Sequence, residues 1–473
     1  MTAIETTATI GVIGAGTMGA GIAQLAAVAG HPVLLFDAKE GAAAAGRERM
    51  VAGLKKLVAR GKIDAAAADA ITDRVHPVAT MDALAPAALV VEAIVEDLDI
   101  KRKLFAALED IVAPEATLAT NTSSISVTAI ARDLKQPGRF VGMHFFNPAV
   151  IMKLVEVISG VATSKEIAET VFATAENWGK IAVHAKSTPG FIVNRVARGF
   201  YAEALRLYEE QVADPATLDA IMTGAGGFRM GPFELMDLIG HDVNYAVSLS
   251  VFTAYYQEPR FRPALSQLEL VNAGRLGRKT GQGFYDYAEG SEKPEPVGET
   301  ASPDAVPVEG LGPGIETEID GVALMLTDGR TAREVAAETG RPVIVCDLAC
   351  DGASRMAFAV SPDVPENVVA RFVATLAAQG IAATRLPDWP GLVLMRTLAV
   401  IANEGFEAVM QGVSDEAGVD TAMRYGVNYP KGPIGWAREV GLARIVAVLD
   451  NLHRLTGDPR YRASLRLRMA LQD

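Results

Sequence analysis

The chain has 473 residues, which at about 150 per domain is a prior for roughly three domains and ample length for several buried cores. Half of the residues are hydrophobic and 21% are charged, with no run of the ~18–20 uninterrupted apolar residues that a membrane span needs, so an integral membrane protein is not expected. The net charge of −13, from 44 basic and 57 acidic residues, argues against a general nucleic-acid binder, because phosphate contacts need a basic face.

From the N-terminus, short β-branched runs alternate with Ala-rich helical patterns, the signature of a parallel sheet with crossover helices. Strands are predicted at 9–13, 33–37, 89–93, 117–121, 140–145, 154–158 and 181–185, with helices at 18–29, 41–60 and 100–112. From Pro189 the texture changes: 191–211 reads as one long amphipathic helix, and helical patterns continue to about Ala273. Tyr285 and Tyr287 close that block. Residues 290–314 then hold five prolines and five glycines in 25 positions, which favours an extended connector. Strands at 321–326, 342–347 and 382–386 follow, a smaller α/β unit with no glycine-rich loop, and the chain is helical again from about Pro390.

The last block repeats an earlier one in a constant register. Pro189-Gly190 matches Pro390-Gly391, an offset of 390 − 189 = 201. The same offset pairs Arg195 with Arg396, Glu203 with Glu404, Val212 with Val413, Asp219 with Asp420, Met222 with Met423, Gly231-Pro232 with Gly432-Pro433 and Gly240 with Gly441. Ungapped agreement over that span identifies a duplicated helical module. The resulting segments are 1–187, 188–287, a linker at 288–315, 316–388 and a second, degenerate helical copy at 389–473.

Gly14-Ala15-Gly16-Thr17-Met18-Gly19 follows a strand pattern and opens a helix pattern. Gly14 permits the tight turn, Gly16 lets the backbone approach a pyrophosphate, and Gly19 lets helix and strand pack closely. The helix N-terminus supplies N–H groups to the phosphate. Asp37 ends the second strand, 37 − 16 = 21 residues after the central glycine, where a carboxylate accepts ribose hydroxyls and repels a 2′-phosphate. Strand, loop, helix, second strand and acid in that order point to NAD in preference to NADP.

A histidine, whose ordinary pKa suits proton transfer near neutrality, ends the strand Phe140-Val-Gly-Met-His144. Twelve residues on, Glu156 stands in the otherwise apolar run Leu154-Val-Glu156-Val-Ile158. A lone carboxylate in a buried strand is costly unless paired, and pairing with His144 would also fix the imidazole tautomer. Taken alone, the two residues fit equally a solvent-facing edge-strand glutamate and a satisfied core histidine. Asn121-Thr122-Ser123-Ser124 follows another strand, where its polar groups either orient a ligand or cap the next helix. Asn194 opens the first helical module, and its repeat partner is Met395, 194 + 201; loss of that amide in the second copy marks Asn194 for chemistry.

Together, the glycine loop, Asn121-Thr-Ser-Ser, His144-Phe-Phe-Asn147-Pro, Lys153-Leu-Val-Glu156 and Pro189-Gly-Phe-Ile-Val-Asn194-Arg resemble the L-3-hydroxyacyl-CoA dehydrogenases, whose whole two-domain unit residues 9 to about 287 cover. The longer form is similar to a bacterial branch of that family that oxidises 3-hydroxyadipyl-CoA in phenylacetate catabolism. The resemblance implies a Rossmann-type NAD-binding domain, an all-α domain of the 6-phosphogluconate-dehydrogenase-like type, a small α/β unit and a second helical copy. It implies His144 as general base, Glu156 as its orienting partner, and Ser123 and Asn194 on the reacting oxygen. Glu96, Lys101, Asn147 and Lys279 match NAD-contacting positions. The CoA-facing serine and lysine of better-known members fall near Gly53 and Arg60, so Arg60 or Lys62 is expected to meet a phosphate. Alternatives are a short-chain 3-hydroxybutyryl-CoA dehydrogenase and a non-catalytic NAD-binding sensor. No metal, nucleic-acid or membrane partner is expected. No secretory or mitochondrial leader is expected from 1–9, and with only two cysteines, Cys346 and Cys350, the cytoplasm is the expected setting. The duplicated module is expected to form an internal pseudo-dimer, and a homo-oligomer is compatible with it.

Overall fold

The computed structural model describes residues 2–308 and 316–472. The expected linker falls partly on 309–315, outside the described residues. Two compact units emerge, Met1–Val193 with Gly412–Val427, and Asn194–Gln411 with Asn428–Asp473.

The first unit is built on an eight-stranded sheet: β1 (Thr9–Ile13), β2 (Val33–Phe36), β3 (Val75–Val78), β4 (Ala87–Glu92), β5 (Thr117–Thr120), β6 (Phe140–Phe145), β7 (Leu154–Ser159) and β8 (Ile181–Lys186). Their order is β3-β2-β1-β4-β5-β6-β7-β8. The chain reverses its winding between β1 and β4, and at such a switch point the carboxyl ends of the strands open a crevice. Alternate residues Ile10, Val12, Val33, Leu35, Leu89 and Val91 fill one face of the core.

Two features depart from the expected parallel sheet. β3 is an added edge strand whose Pro77 hid it; an edge position tolerates the missing N–H. β6 and β7 pair antiparallel, because the short connection between them carries no crossover helix. A third surprise lies far along the chain. Residues 412–427, expected within the second helical copy, belong to this unit, where the helix Glu416–Gly426 packs on β7 and β8. A β-carbon on Gly426 would come within 2.8 Å of Leu154 and 2.9 Å of Val193, so the approach is close enough to demand glycine.

The second unit combines the helical modules with a five-stranded sheet, β9 (Thr317–Ile319), β10 (Val322–Leu326), β11 (Val343–Cys346), β12 (Arg355–Val360) and β13 (Ala382–Arg385), in the order β13-β12-β11-β10-β9. Neither β9 nor β12 is predicted: β9 has three residues, and β12 reads Arg-Met-Ala-Phe-Ala-Val, nearly free of β-branching. The expected helix 191–211 is also shorter and interrupted. Phe191 takes a positive φ of 46°, a short turn Val193–Val196 follows, and the main helix is Arg198–Glu209. Its repeat partner is the unbroken helix Leu394–Met410, entered through Leu392 at φ 54°.

The two helices pack on each other reciprocally. Arg195 Nε donates to Glu404 at 2.5 Å, and Arg396 Nε donates to Glu203 at 2.7 Å, the same pair of repeat positions exchanged. Gly199 lets the helices cross closely, since a β-carbon there would meet Val400, its own repeat partner (199 + 201), at 3.0 Å. Self-complementary contacts of this kind are what a twofold-related pair produces.

Candidate active site

The carboxyl edge of the first sheet gathers most of the predicted residues. β1 runs into Gly14, at φ +96°, where a β-carbon would overlap the Ala93 carbonyl. A β-carbon on Gly19 would overlap the Gly14 carbonyl, so strand and helix touch through two glycines. Gly16 is different in kind: a β-carbon there would meet nothing within 4 Å. It is the N-cap of the helix Thr17–Val28 and makes no side-chain cap bond, which leaves first-turn N–H groups facing open space. Thr17 is exposed beside it, while Met18 packs into the core. Asp37, just past β2, accepts from the Ala15 amide at 2.8 Å and from the Lys39 amide at 2.9 Å. A cavity of about 310 Å³ lined by Asp37, Ala38, Lys39, Pro77 and Val78 continues from that carboxylate. Open glycine, uncapped helix and carboxylate beside a cavity fit a dinucleotide.

Next to it lies a carboxylate hub. Glu96, beyond β4, accepts from the Thr122 hydroxyl at 2.7 Å, the Ser123 and Ser124 amides at 2.9 and 3.0 Å, and the Ser124 hydroxyl at 3.0 Å. Burial raises its pKa, but the Thr122 bond, the Lys101 charge and the Ser123 amide outweigh burial and hold it below the ordinary value. The hub orders the Asn121–Ser124 turn and leaves the Ser123 hydroxyl, 3.3 Å from Glu96, half-buried at its rim. Lys101 is 1% exposed, with Nζ 2.6 Å from Glu92 and 3.4 Å from Glu96. Its ammonium thus supports Glu96. Asn121 spends its side-chain oxygen on the Phe145 amide at 2.8 Å, tying β5 to β6.

His144 and Glu156 face each other directly in the β6–β7 register. His144 Nδ1 lies 2.8 Å from Glu156 Oε2, and the two residues are 5% and 0% exposed. The carboxylate therefore points inward to the histidine, against the solvent-facing alternative. Phe146 and Phe191 pack on the imidazole, with centroids at 4.5 and 5.9 Å. The other carboxylate oxygen accepts from the Ile192 and Val193 amides, each at 3.0 Å. Glu156 is thus held by two backbone donors and holds a histidine whose Nε2 has no partner among the described residues. An imidazole oriented at Nδ1 and open at Nε2 is a general base in waiting.

Asn147 is exposed in the loop after β6. Arg60 and Lys62 are exposed in the turn between the helices Ala42–Ala59 and Ala65–Asp73. Asn194, the residue after Val193, belongs to the second unit, as does Lys279, which pairs with Asp242. A larger cavity of about 630 Å³ runs along β8 past His184, Phe172 and Asp415, and none of the residues above line it. The buried Glu92–Lys101–Thr120 cluster went unseen in sequence, although a carboxylate ending an apolar strand was its signal.

A doubly wound sheet with a phosphate-ready glycine loop and an oriented histidine on one edge defines a dinucleotide-dependent oxidoreductase. The chain belongs to the 3-hydroxyacyl-CoA dehydrogenase family. It matches that family's NAD binding domain over residues 9–188 and its C-terminal domain twice, over 190–287 and 391–473. Residues 324–390 match a 3-hydroxybutyryl-CoA dehydrogenase reduced Rossmann-fold domain. The 3-hydroxyadipyl-CoA dehydrogenase of Escherichia coli K12 is 47% identical over 464 residues, 97% of this chain and 96% of that protein. The 3-hydroxybutyryl-CoA dehydrogenase of Clostridioides difficile is 40% identical over 59% of this chain and 99% of its own length. A crystal structure described as 3-hydroxybutyryl-CoA dehydrogenase from Escherichia coli K12 superposes with a TM-score of 0.94 at 46% identity, covering 98% of both chains. No helix among the described residues is long and apolar enough to cross a membrane.

Proposed function

We propose that the protein oxidises an (S)-3-hydroxyacyl-CoA to the 3-oxoacyl-CoA with NAD⁺, and that its substrate is 3-hydroxyadipyl-CoA. The observation that carries the chemistry is the buried His144–Glu156 pair with Nε2 open. NAD⁺ held by Gly14, Gly16, Thr17, Met18, Gly19 and Asp37 supplies the hydride acceptor. His144 Nε2 takes the proton of the 3-hydroxyl as the C3 hydrogen leaves as hydride. Glu156 keeps the proton on Nδ1 before the step and stabilises the imidazolium after it. Ser123 and Asn194 hydrogen-bond the reacting oxygen. Glu96 and Lys101, with Asn147 and Lys279, complete the cofactor site, and Arg60 and Lys62 meet the CoA phosphates. The adipyl assignment is supported by the nearly full-length match to the 3-hydroxyadipyl-CoA enzyme; the description of the superposing crystal structure favours 3-hydroxybutyryl-CoA as the second reading.

NADH formation by the purified protein with each substrate tests both. A higher kcat/KM for (S)-3-hydroxyadipyl-CoA is expected; a higher value for (S)-3-hydroxybutyryl-CoA selects the second reading, and turnover of neither sinks the dehydrogenase. We further infer a cytoplasmic enzyme whose second helical copy takes the place a partner subunit would occupy, with Arg195–Glu404 and Arg396–Glu203 as the internal twofold contacts.

Cofactor choice gives a sharp expectation. Asp37→Ser removes the charge that repels a 2′-phosphate, and like charges brought together cost several kcal/mol. The NADP⁺/NAD⁺ ratio of kcat/KM should rise at least ~10-fold. The ratio is the useful quantity, because losing the Asp37–Ala15 bond would weaken both cofactors alike; an unchanged ratio removes Asp37 from cofactor selection.

A further inference from the structure

The helix Arg198–Glu209 opens with a buried guanidinium that has no carboxylate partner among the described residues. Arg198 is 6% exposed. Its Nε donates to the Asn194 carbonyl at 3.0 Å, and its Nη1 donates to the Ser248 hydroxyl at 3.0 Å and the Asn244 carbonyl at 3.4 Å. The Tyr201 ring lies 4.8 Å below it. The neighbouring buried arginines differ: Arg195 is paired with Glu404 and Arg396 with Glu203. Burial accordingly pulls the Arg198 pKa below its ordinary value, with only tyrosines opposing the shift. One of these is Tyr429, whose hydroxyl is buried without a hydrogen-bond partner among the described residues. The cation and the hydroxyl belong to one cluster, since the Phe200 ring lies 5.6 Å from both the Tyr201 ring under Arg198 and the Tyr429 ring; a buried charge without a counter-charge and a buried hydroxyl without a hydrogen bond are each costly.

The repeat shows that this polarity is not required by the helical core. The offset of 201 carries Arg198 to Ala399 and Tyr201 to Ala402, while Tyr429 answers to Phe228. The repeat equivalents of all three residues are therefore apolar. Asn194 and Met395 show the same asymmetry as Arg198 and Ala399, whereas Tyr429 is a polar group that the second copy contributes.

We infer that Arg198, with the Tyr429 hydroxyl, binds the distal carboxylate of a dicarboxylic acyl chain. This rests on the proposed function, in which Asn194 holds the 3-oxygen. Arg198 Nε lies 3.0 Å from the Asn194 carbonyl, so the two residues are immediate neighbours. In the hydroxyadipyl chain the carboxyl carbon stands three bonds beyond C3, a length that suits two such neighbouring contacts. The carboxylate would accept from the guanidinium and from the orphan hydroxyl, completing a site that is half-made in the protein alone. A chain ending in a methyl group would leave both donors unanswered, so the site selects against it.

The test compares kcat/KM for (S)-3-hydroxyadipyl-CoA with that for (S)-3-hydroxyhexanoyl-CoA, which has the same length and no charge. The full-length protein, Arg198→Met and Tyr429→Phe are each measured. The unaltered protein should favour the adipyl substrate, Arg198→Met should reduce the ratio ~30-fold or more, and Tyr429→Phe should reduce it several-fold. Tyr429→Phe removes one oxygen atom and keeps the test decisive should Arg198→Met fail to fold. No preference in the unaltered protein, or both substrates falling together in the variants, overturns the inference and leaves Arg198 as a structural link between helices. Turnover of neither substrate by the unaltered protein fails earlier, at the dehydrogenase reading itself.

Discussion

Replacing His144 by glutamine should lower kcat by ~10²–10⁴-fold, the usual loss when a positioned general base is removed. The geometry explains the size of the loss. His144 is the titratable group on β6 with an open nitrogen, and Glu156, its neighbour on β7, has both carboxylate oxygens engaged, one by the imidazole and one by two backbone amides. NAD⁺ affinity should change little, because the glycine loop and Asp37 make no use of the imidazole. Glu156→Gln separates two roles of that carboxylate. The amide oxygen can still accept from Ile192 and Val193, but the amide nitrogen then faces Nδ1, donor against donor, and drives the imidazole to the wrong tautomer. A fall in kcat comparable to that of His144→Gln, with a nearly unchanged melting temperature, is expected. Stopped-flow NADH formation with equilibrium NAD⁺ titration checks both variants. If His144→Gln keeps more than a tenth of the activity, the base lies elsewhere.

The structural half of the Glu156 role has its own counterpart in the second unit. Asp347 accepts from the Val393, Leu394 and Met395 amides at 3.0, 2.7 and 2.9 Å, and the first two are the repeat partners of Ile192 and Val193. Both helical modules thus start on a buried carboxylate delivered by a β-sheet. Burial raises the Asp347 pKa to about 6 against the pull of those amides, and no histidine pairs with it among the described residues. The second copy keeps the anchor and lacks the base.

Glu404→Ala should be the most damaging change in the helical unit. It strands Arg195, which is fully buried and would keep the Gln411 side chain as its one hydrogen-bonding partner among the described residues, and it removes one acid from Arg260. Breaking one member of a buried pair costs ~3–5 kcal/mol, mostly the penalty of the uncompensated charge. In a domain of this size that lowers Tm by ~10 °C. The double variant Arg195→Met with Glu404→Met should recover most of the loss, because removing both charges also removes their desolvation cost. Differential scanning calorimetry of both decides the matter: a Glu404→Ala shift under ~2 °C would mean that the crossing helices are held by apolar packing alone. Glu203→Ala should cost less, since Arg396 retains Glu210 at 2.9 Å and the Tyr461 hydroxyl at 2.7 Å.

Local chemistry was legible along the chain because its signals are short-range. The glycine loop with Asp37 is a run of neighbours whose spacing carries its own meaning, and strands β1, β2 and β4 to β8 announced themselves through β-branched runs. The repeat at a constant offset announced the duplicated helices before any contact was visible. The acid in the apolar strand β7 told that Glu156 needed a partner, because burial of a lone charge is costly wherever it occurs.

What remained hidden depends on residues far apart in sequence. Periodicity gives the face a residue points to, not what stands opposite. Only the antiparallel β6–β7 register turned Glu156 to His144 rather than to solvent. Only packing sent residues 412–427 back onto the first sheet, exchanged the ion pairs between the two copies, and left Arg198 buried with no carboxylate partner among the described residues. A sequence determines which groups a chain can offer and in what local geometry; the tertiary fold decides which of them meet, because burial and pairing are properties of neighbours in space.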